Sequence, residues 1–228
     1  MTDTGDRRVD FDEYADSYQR LLDEQLSFFS KDHGYFPDYK ARWVAAHIKG
    51  RPARILDFGC GIGLSLPYLA QYFPDAKLHA TDLSKASVAH VRKTYPGVEV
   101  VDDEDLDGNR FDLIFVAGVF HHIPVEERER VSRRLASLLS PGGEIFIFDH
   151  NPFNPVTRRM VSTCPFDADA VLLKRAQLQR LMHDVGGLEI TQSSYCLYFP
   201  PALKALAFME PWLEWLPLGG QYVVSGRR

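Results

Sequence analysis

Near the start of the chain, apolar residues recur at helical spacing. Phe11, Tyr14, Tyr18, Leu21, Leu22 and Leu26 predict a helix over residues 11–29. A second helix is predicted from Pro37 to Ile48, stopped by Gly50 and Pro52. From Arg54 the pattern changes. Short apolar runs of strand character at 54–58, 77–81, 98–101, 111–116 and 144–149 alternate with helix-period segments at 64–73, 85–94 and 125–139. Pro74, Pro96-Gly97 and Ser140-Pro141-Gly142-Gly143 punctuate their ends. Strands joined by crossover helices imply a mostly parallel sheet buried on both faces, an open doubly wound α/β fold.

The last third reads differently. Residues 150–166 are rich in proline and asparagine and are predicted to be irregular. A helix follows over 173–185, stopped by Gly186-Gly187, then a strand over 188–198 and a last strand over 221–226. Between those strands, 200–218 is dense in Pro, Leu, Trp and Phe. The expected organisation is a helical arm or lid at 1–50 and a ligand-binding domain at 51–228 with cap segments near 150–170 and 198–218.

Composition narrows the class. The 228 residues are 45% hydrophobic and 25% charged, with a net charge of -5, ordinary for a globular chain. No apolar run reaches membrane-spanning length, and the first residues lack the apolar core of a secretory signal, so a cytoplasmic protein is expected. Cys60, Cys164 and Cys196 are too scattered for a disulfide framework or a zinc site, and no metal is expected. The basic residues between Arg128 and Arg134 sit among Glu126, Glu127 and Glu129 and read as a solvated helix face, not a nucleic-acid footprint.

The chemistry begins at Ile55-Leu56-Asp57-Phe58-Gly59-Cys60-Gly61-Ile62-Gly63. In such a sheet, ligands bind beyond the carboxyl ends of the strands. Glycines there let the backbone turn tightly and approach a ligand closely. The spacing is one residue too tight for the dinucleotide fingerprint, and Asp57 suits a ligand carrying an ammonium better than a pyrophosphate. Asp82 ends the second strand, where a carboxylate can accept both ribose hydroxyls of an adenosine. Asp102, with a neighbouring backbone N–H, can read an adenine edge. The bland alternatives are a helix cap at Asp82 and a solvated turn at 102–105.

Together these pieces resemble the class I S-adenosylmethionine-dependent methyltransferases. ILDFGCGIG resembles their first motif, ATDLS their second and VVDDEDL the adenine segment. FDLIFVAGVFHHI, from Phe111 to Ile123, resembles the fourth-strand motif, and LLSPGGEIFIF, from Leu138 to Phe148, the turn into the fifth strand. The resemblance covers residues 51–150 and implies a Rossmann-like sheet of seven strands, the seventh antiparallel, with S-adenosylmethionine as cofactor. It implies that Gly59, Gly61 and Gly63 approach the cofactor and that Asp57 orients its amino-acid end. Asp82 would hold the ribose with Leu83 beside it, Asp102 and Asp103 would flank the adenine, and Ala117 would lie under the methionine portion. Cys60 occupies a small-residue slot as inert packing, and Tyr18 would reach the cofactor from the first helix.

Methyl transfer from a sulfonium needs alignment and exclusion of water, and a general base when the acceptor is still protonated. Candidates for that base are His121 and His122 after the fourth strand, with Asp149 and His150 at the end of the fifth. Asn151 and Asn154 could hold a polar substrate group, or simply shape the loop. Aromatics of the arm and the late insertion, Trp212 and Trp215 among them, could close over the cofactor, and Lys40 could reach its carboxylate. The leading expectation is methyl transfer to a compact small molecule. Alternatives are attack of the cofactor's own amine beside sulfur, releasing methylthioadenosine as in azetidine-2-carboxylate synthases, and a non-catalytic S-adenosylmethionine binder; a nicotinamide enzyme ranks last. The partner expected is a small-molecule substrate, with a homodimer left open and neither nucleic acid nor membrane.

Overall fold

A computed structural model describes residues 34–228. The helix expected over 11–29, Tyr18 included, lies outside those residues. Helix α1 (Tyr35–His47) leads into β1 (Arg54–Phe58), α2 (Leu66–Tyr72), β2 (Lys77–Thr81), α3 (Lys85–Thr94), β3 (Glu99–Val100) and β4 (Phe111–Ala117). Then come α4 (Arg128–Leu138), β5 (Leu139–His150), α5 (Pro155–Thr163), α6 (Arg175–Arg180, continued as a π-turn), β6 (Glu189–Cys196), α7 (Glu210–Leu213) and β7 (Gln221–Arg227). The seven strands form one sheet in the order β3-β2-β1-β4-β5-β7-β6. β1 to β5 pair in parallel, and β7 runs antiparallel between β5 and β6.

The two-residue period of β4 shows why the sheet is covered twice. Ile114 and Val116 join one apolar cluster with Leu135 and Leu138 of α4 and Leu178 of α6. Leu113 and Phe115 join another with Tyr39, Trp43 and Val44 of α1 and Leu69 of α2. All four β4 residues are buried, so β4 can only be a central strand. Its neighbour β1 turns the sheet order back on itself, since β1 is followed by β2 on one side and flanked by β4 on the other. Their carboxyl ends therefore open the crevice where such sheets bind ligands.

Two segments depart from the predicted pattern. Residues 155–163, expected to be irregular, form α5. Asn154 caps it, its Oδ1 accepting from Val156 N at 2.9 Å and Thr157 N at 3.1 Å, and Pro155 opens the first turn where no N–H is needed. Ser140 to Gly143 does end α4, but β5 already begins at Leu139, which pairs with Phe111 across a register shift. The basic stretch is also mixed. Arg130 and Arg133 pair with Glu127 and Glu129 on the solvated face as expected, at 2.5 and 2.7 Å. Arg128 is instead buried, donating to the carbonyls of Ile123 and Val171, and Arg134 reaches Asp103 and Asp107. Among the described residues no helix is long and apolar enough to cross a membrane.

Candidate active site

The glycine loop is pinned to the end of β2. Gly59 N and Cys60 N both donate to the Thr81 carbonyl, at 2.9 and 3.0 Å. Gly61 N donates to Asp82 Oδ2 at 2.7 Å, while Asp82 Oδ1 accepts from Ser84 N at 2.9 Å. The helix cap itself is Ser84, whose hydroxyl accepts from Ser87 N at 3.1 Å. Asp82 thus braces the loop, while the cap of α3 is Ser84.

The three loop glycines differ in purpose. All have positive φ, a conformation that favours glycine. A Cβ on Gly59 would stand 2.6 Å from Val119, and one on Gly63 2.8 Å from both Leu66 and Tyr95, so these two serve packing. A Cβ on Gly61 would meet nothing within 4 Å. Gly61 is the one with open space beside it. Cys60 is buried, with burial pushing its thiol pKa up, so it behaves as packing rather than as a nucleophile.

Asp57 sits beneath the loop, 3% exposed, and its Oδ2 finds no hydrogen-bond partner among the described residues. Burial, reinforced by the charge of Asp82, raises its pKa to about 7, while Lys40 pulls the other way. Lys40, which the sequence leaves between a reach to the cofactor's carboxylate and a solvated position, stands on α1 within the fields of Asp57, Asp149 and Cys196, and burial lowers its pKa. An orphaned, desolvated carboxylate is what an incoming ammonium would satisfy. The residues therefore fit the amino-acid end of S-adenosylmethionine on one side and its ribose, at Asp82, on the other.

After β3, where the adenine is expected, Asp102 pairs with Arg92, both its oxygens 3.0 Å from Nη2. The Asp103 carboxylate is held by Arg134 at 2.7 and 2.8 Å. Asp103 is therefore tied to α4, and the acidic turn is braced rather than freely solvated. Leu83 is 85% exposed beside Asp82, an apolar surface that a base can cover.

Across the crevice, Ala117 ends β4 and the chain turns through Gly118 into His121 and His122. Here the structure builds a cluster deeper than the sequence suggests. His121 Nδ1 lies 2.6 Å from Asp149 Oδ1, and His121 N donates to Asp149 Oδ2 at 3.1 Å. The rings of His122 and His150 stand 4.1 and 4.7 Å from that of His121, centroid to centroid. Asp167, which no sequence signal singled out, lies 3.3 Å from Nε2 of both His121 and His122. The backbone of Val171 ties this segment down by donating to the His121 carbonyl at 2.8 Å.

Electrostatics sorts the three imidazoles. Burial opposes a charge on His121, but Asp149 and Asp167 outweigh it and raise its pKa to about 9. Burial, with the neighbouring His121 charge, lowers His122 and His150 to about 4 each. His121 carries the cluster's proton, and His122 and His150 stay neutral at pH 7.

Asn151 and Asn154, expected either to hold substrate or to shape the loop, are both engaged in shaping it. Asn151 is fully buried; its Nδ2 donates to Pro217 and Gly219 carbonyls at 3.1 and 2.8 Å, and its Oδ1 accepts from Phe153 N. Asn154 caps α5 and donates to Leu218 O at 2.7 Å. Both amides sew the turn after β5 to the turn before β7. The late aromatics also divide. Tyr198 is tied to the Leu216 carbonyl at 2.6 Å, while Phe208, Trp212 and Trp215 are 66%, 69% and 71% exposed and stand away from the core.

Comparisons with known proteins agree with this geometry. A family model described as a methyltransferase domain matches residues 56–145. Phosphatidylethanolamine N-methyltransferase of Cereibacter sphaeroides is 30% identical over 150 residues, covering 62% of this chain and 70% of that protein. Trans-aconitate 2-methyltransferase of Methylobacterium nodulans is 32% identical over 124 residues, 51% of this chain and 47% of that one. The first relatives are matched over 25% to 47% of their own length. A SAM-dependent methyltransferase of Archaeoglobus fulgidus shares the fold with a TM-score of 0.68 at 16% identity, over 92% of this chain and 100% of that one. The chain belongs to the class I S-adenosylmethionine-dependent methyltransferases, an enzyme family whose cofactor is S-adenosylmethionine.

Proposed function

We propose that this chain transfers the methyl group of S-adenosylmethionine to a small-molecule acceptor bound over the carboxyl ends of β4 and β5. One juxtaposition carries the reading. The glycine loop with Asp57 and Asp82 lies on one side of the crevice, and the neutral imidazoles of His122 and His150 lie on the other. The first half offers complementary groups to an ammonium and a ribose. The second can take the proton of an O–H or N–H acceptor as the methyl group arrives.

Most of the catalytic work in such a transfer is alignment and water exclusion. The segment from Asp167 to Val171 supplies a wall for this: Asp167 lies 3.3 Å from both His121 and His122, and Val171 N donates to the His121 carbonyl. The acidic net charge of -5 does not suit a nucleic-acid acceptor. Relatives named for trans-aconitate and for ubiquinone biosynthesis support the small-molecule class without choosing within it.

The test is incubation with S-adenosylmethionine and pooled small acceptors, followed by mass spectrometry. S-adenosylhomocysteine formed together with an acceptor heavier by one methylene is expected. Methylthioadenosine formed without any acceptor would replace this reading with cyclisation of the cofactor. An intact cofactor across all pools, despite measured binding, would favour a binder over an enzyme.

A further inference from the structure

We propose that His121, His122 and Asp167 form a binding site for a divalent first-row transition-metal cation at the acceptor side of the crevice. The inference rests on the methyltransferase reading only for where the cation would act. The three donor groups lie within 4.8 Å of one another and come from two segments that are distant in sequence, the loop after β4 and the turn after α5.

The distances suit co-ligands of one ion, whose binding would displace the proton from His121 Nε2. One oxygen of Asp167 stands 3.3 Å from Nε2 of His121 and 3.3 Å from Nε2 of His122. A charge-assisted N–H to carboxylate bond closes to about 2.7–2.9 Å. Two ligand atoms each about 2.1 Å from a shared zinc-sized ion stand about 3.0–3.4 Å apart, in octahedral or tetrahedral geometry respectively. The same oxygen meets both imidazoles at the second spacing, not the first.

The surroundings match what metal-bound imidazoles require. His121 turns its Nδ1 to Asp149 at 2.6 Å, leaving Nε2 toward Asp167. That carboxylate–histidine arrangement orients a ligating ring and raises its donor strength. Asp149 is itself held by backbone donors from His121 and His150, at 3.1 and 2.6 Å. Asp169 stands 3.8 Å from His122 Nδ1, too far for a hydrogen bond between these two atoms, so the oriented ring is His121. Two histidines and one carboxylate on one side of an ion leave its remaining positions open to water or to an acceptor oxygen. A cation there would polarise that oxygen. Nitrogen donors select zinc, iron or cobalt over magnesium and calcium, which prefer all-oxygen sites.

The experiment uses the tag-free full chain, stripped with a chelator and dialysed against zinc, cobalt(II) or magnesium separately. Metal content is read by mass spectrometry and the cobalt environment by visible absorption. S-adenosylmethionine affinity is measured in parallel on the same samples. The expected result is about one zinc or cobalt per chain, no retained magnesium, and ligand-field bands for a nitrogen–oxygen site. His122→Gln and Asp167→Asn should each lower zinc affinity by at least roughly tenfold, with circular dichroism and cofactor affinity unchanged. If one variant fails to fold, the other and the wild-type cobalt spectrum still decide. No stoichiometric zinc or cobalt on a wild-type chain that binds S-adenosylmethionine would overturn the metal site alone. So would zinc retained equally by folded His122→Gln and Asp167→Asn. A chain that binds the metal and not the cofactor would leave the site standing and remove the methyltransferase reading.

Discussion

Asp82 Oδ2 accepts the backbone N–H of Gly61 at 2.7 Å, joining the end of β2 to the apex of the glycine loop. The carboxylate shapes the loop, and in the proposed reading it also accepts from the ribose. Removing it should therefore both loosen the loop and take away a charged acceptor. Asp82→Ala is expected to weaken S-adenosylmethionine binding by about 1–3 kcal/mol, roughly 5- to 150-fold. Calorimetric titration checks this; affinity within twofold of wild type would take Asp82 out of the site.

Much of that loop was legible in the chain itself. A buried apolar run ending in Gly59, Gly61 and Gly63, followed by a second strand ending in Asp82, is local pattern, and the structure folds it locally. The segment bearing Asp167 was not legible, because nothing in a one-dimensional pattern says that residue 167 returns to residue 121. That meeting is set by tertiary contacts such as Val171 to the His121 backbone. The helix α5 was announced by Asn154-Pro155, a cap followed by a first-turn proline, but the neighbouring prolines and asparagines read as a loop. Their amides serve the turns, Asn151 to Gly219 and Asn154 to Leu218, the loop-shaping one of their two expected uses.

The glycines should separate binding from stability. Ala at Gly59 or Gly63 must push aside Val119, or Leu66 and Tyr95, and is expected to destabilise the fold by about 1–3 kcal/mol. A side chain at Gly61 meets no neighbour, so Gly61→Val should suffer mainly the backbone strain of positive φ, about 1–2 kcal/mol. It should nonetheless abolish cofactor binding by filling the crevice. Thermal melts and titrations on the three variants decide; a folded Gly61→Val chain with normal affinity would contradict the placement.

Asp57 makes the affinity depend on pH. Its pKa rises from 3.8 to about 7 on burial, so the native carboxyl keeps a proton that the unfolded chain has lost. Its contribution favours the fold fully below about pH 4 and is lost as pH climbs through about 7. An ammonium beside it reverses the preference, because the cation favours the ionised form. S-adenosylmethionine affinity should rise by up to about tenfold per pH unit below pH 7 and level off near pH 8, where an α-amino group loses its own proton. Asp57→Asn should bind weakly and flatten that rise. An unchanged slope in the variant would place the ammonium elsewhere.

Glu210 holds the late insertion to α1. It is 6% exposed, bonded to the Tyr39 hydroxyl through one oxygen and accepting from Tyr198 N at 3.0 Å through the other. Glu210→Ala would leave two buried donors without acceptors, at about 2–4 kcal/mol of stability. That is a fall in Tm of about 5–15 °C for a chain of this size. Glu210→Gln, which keeps an acceptor, should lose much less. Equal melting of the two variants would show that the contacts do not matter.

Asn151→Ala should act on the fold and not on the chemistry. Its buried amide satisfies two carbonyls and one N–H, so its removal is expected to cost about 2–3 kcal/mol in a denaturant melt. S-adenosylmethionine affinity of the folded variant should stay within about twofold of wild type, since none of those partners belongs to the glycine loop. A large loss of affinity with unchanged stability would return Asn151 to the site.

The central claim is that an adenosine sulfonium lies between the Gly59–Gly63 loop and Asp82. Calorimetric titration of the wild-type chain with S-adenosylhomocysteine, and separately with reduced nicotinamide adenine dinucleotide, tests it most directly. One binding site per chain for the first ligand, competed by S-adenosylmethionine, and no heat from the second is the expected result. No heat from S-adenosylhomocysteine, or binding of the nicotinamide that S-adenosylmethionine displaces, would contradict it.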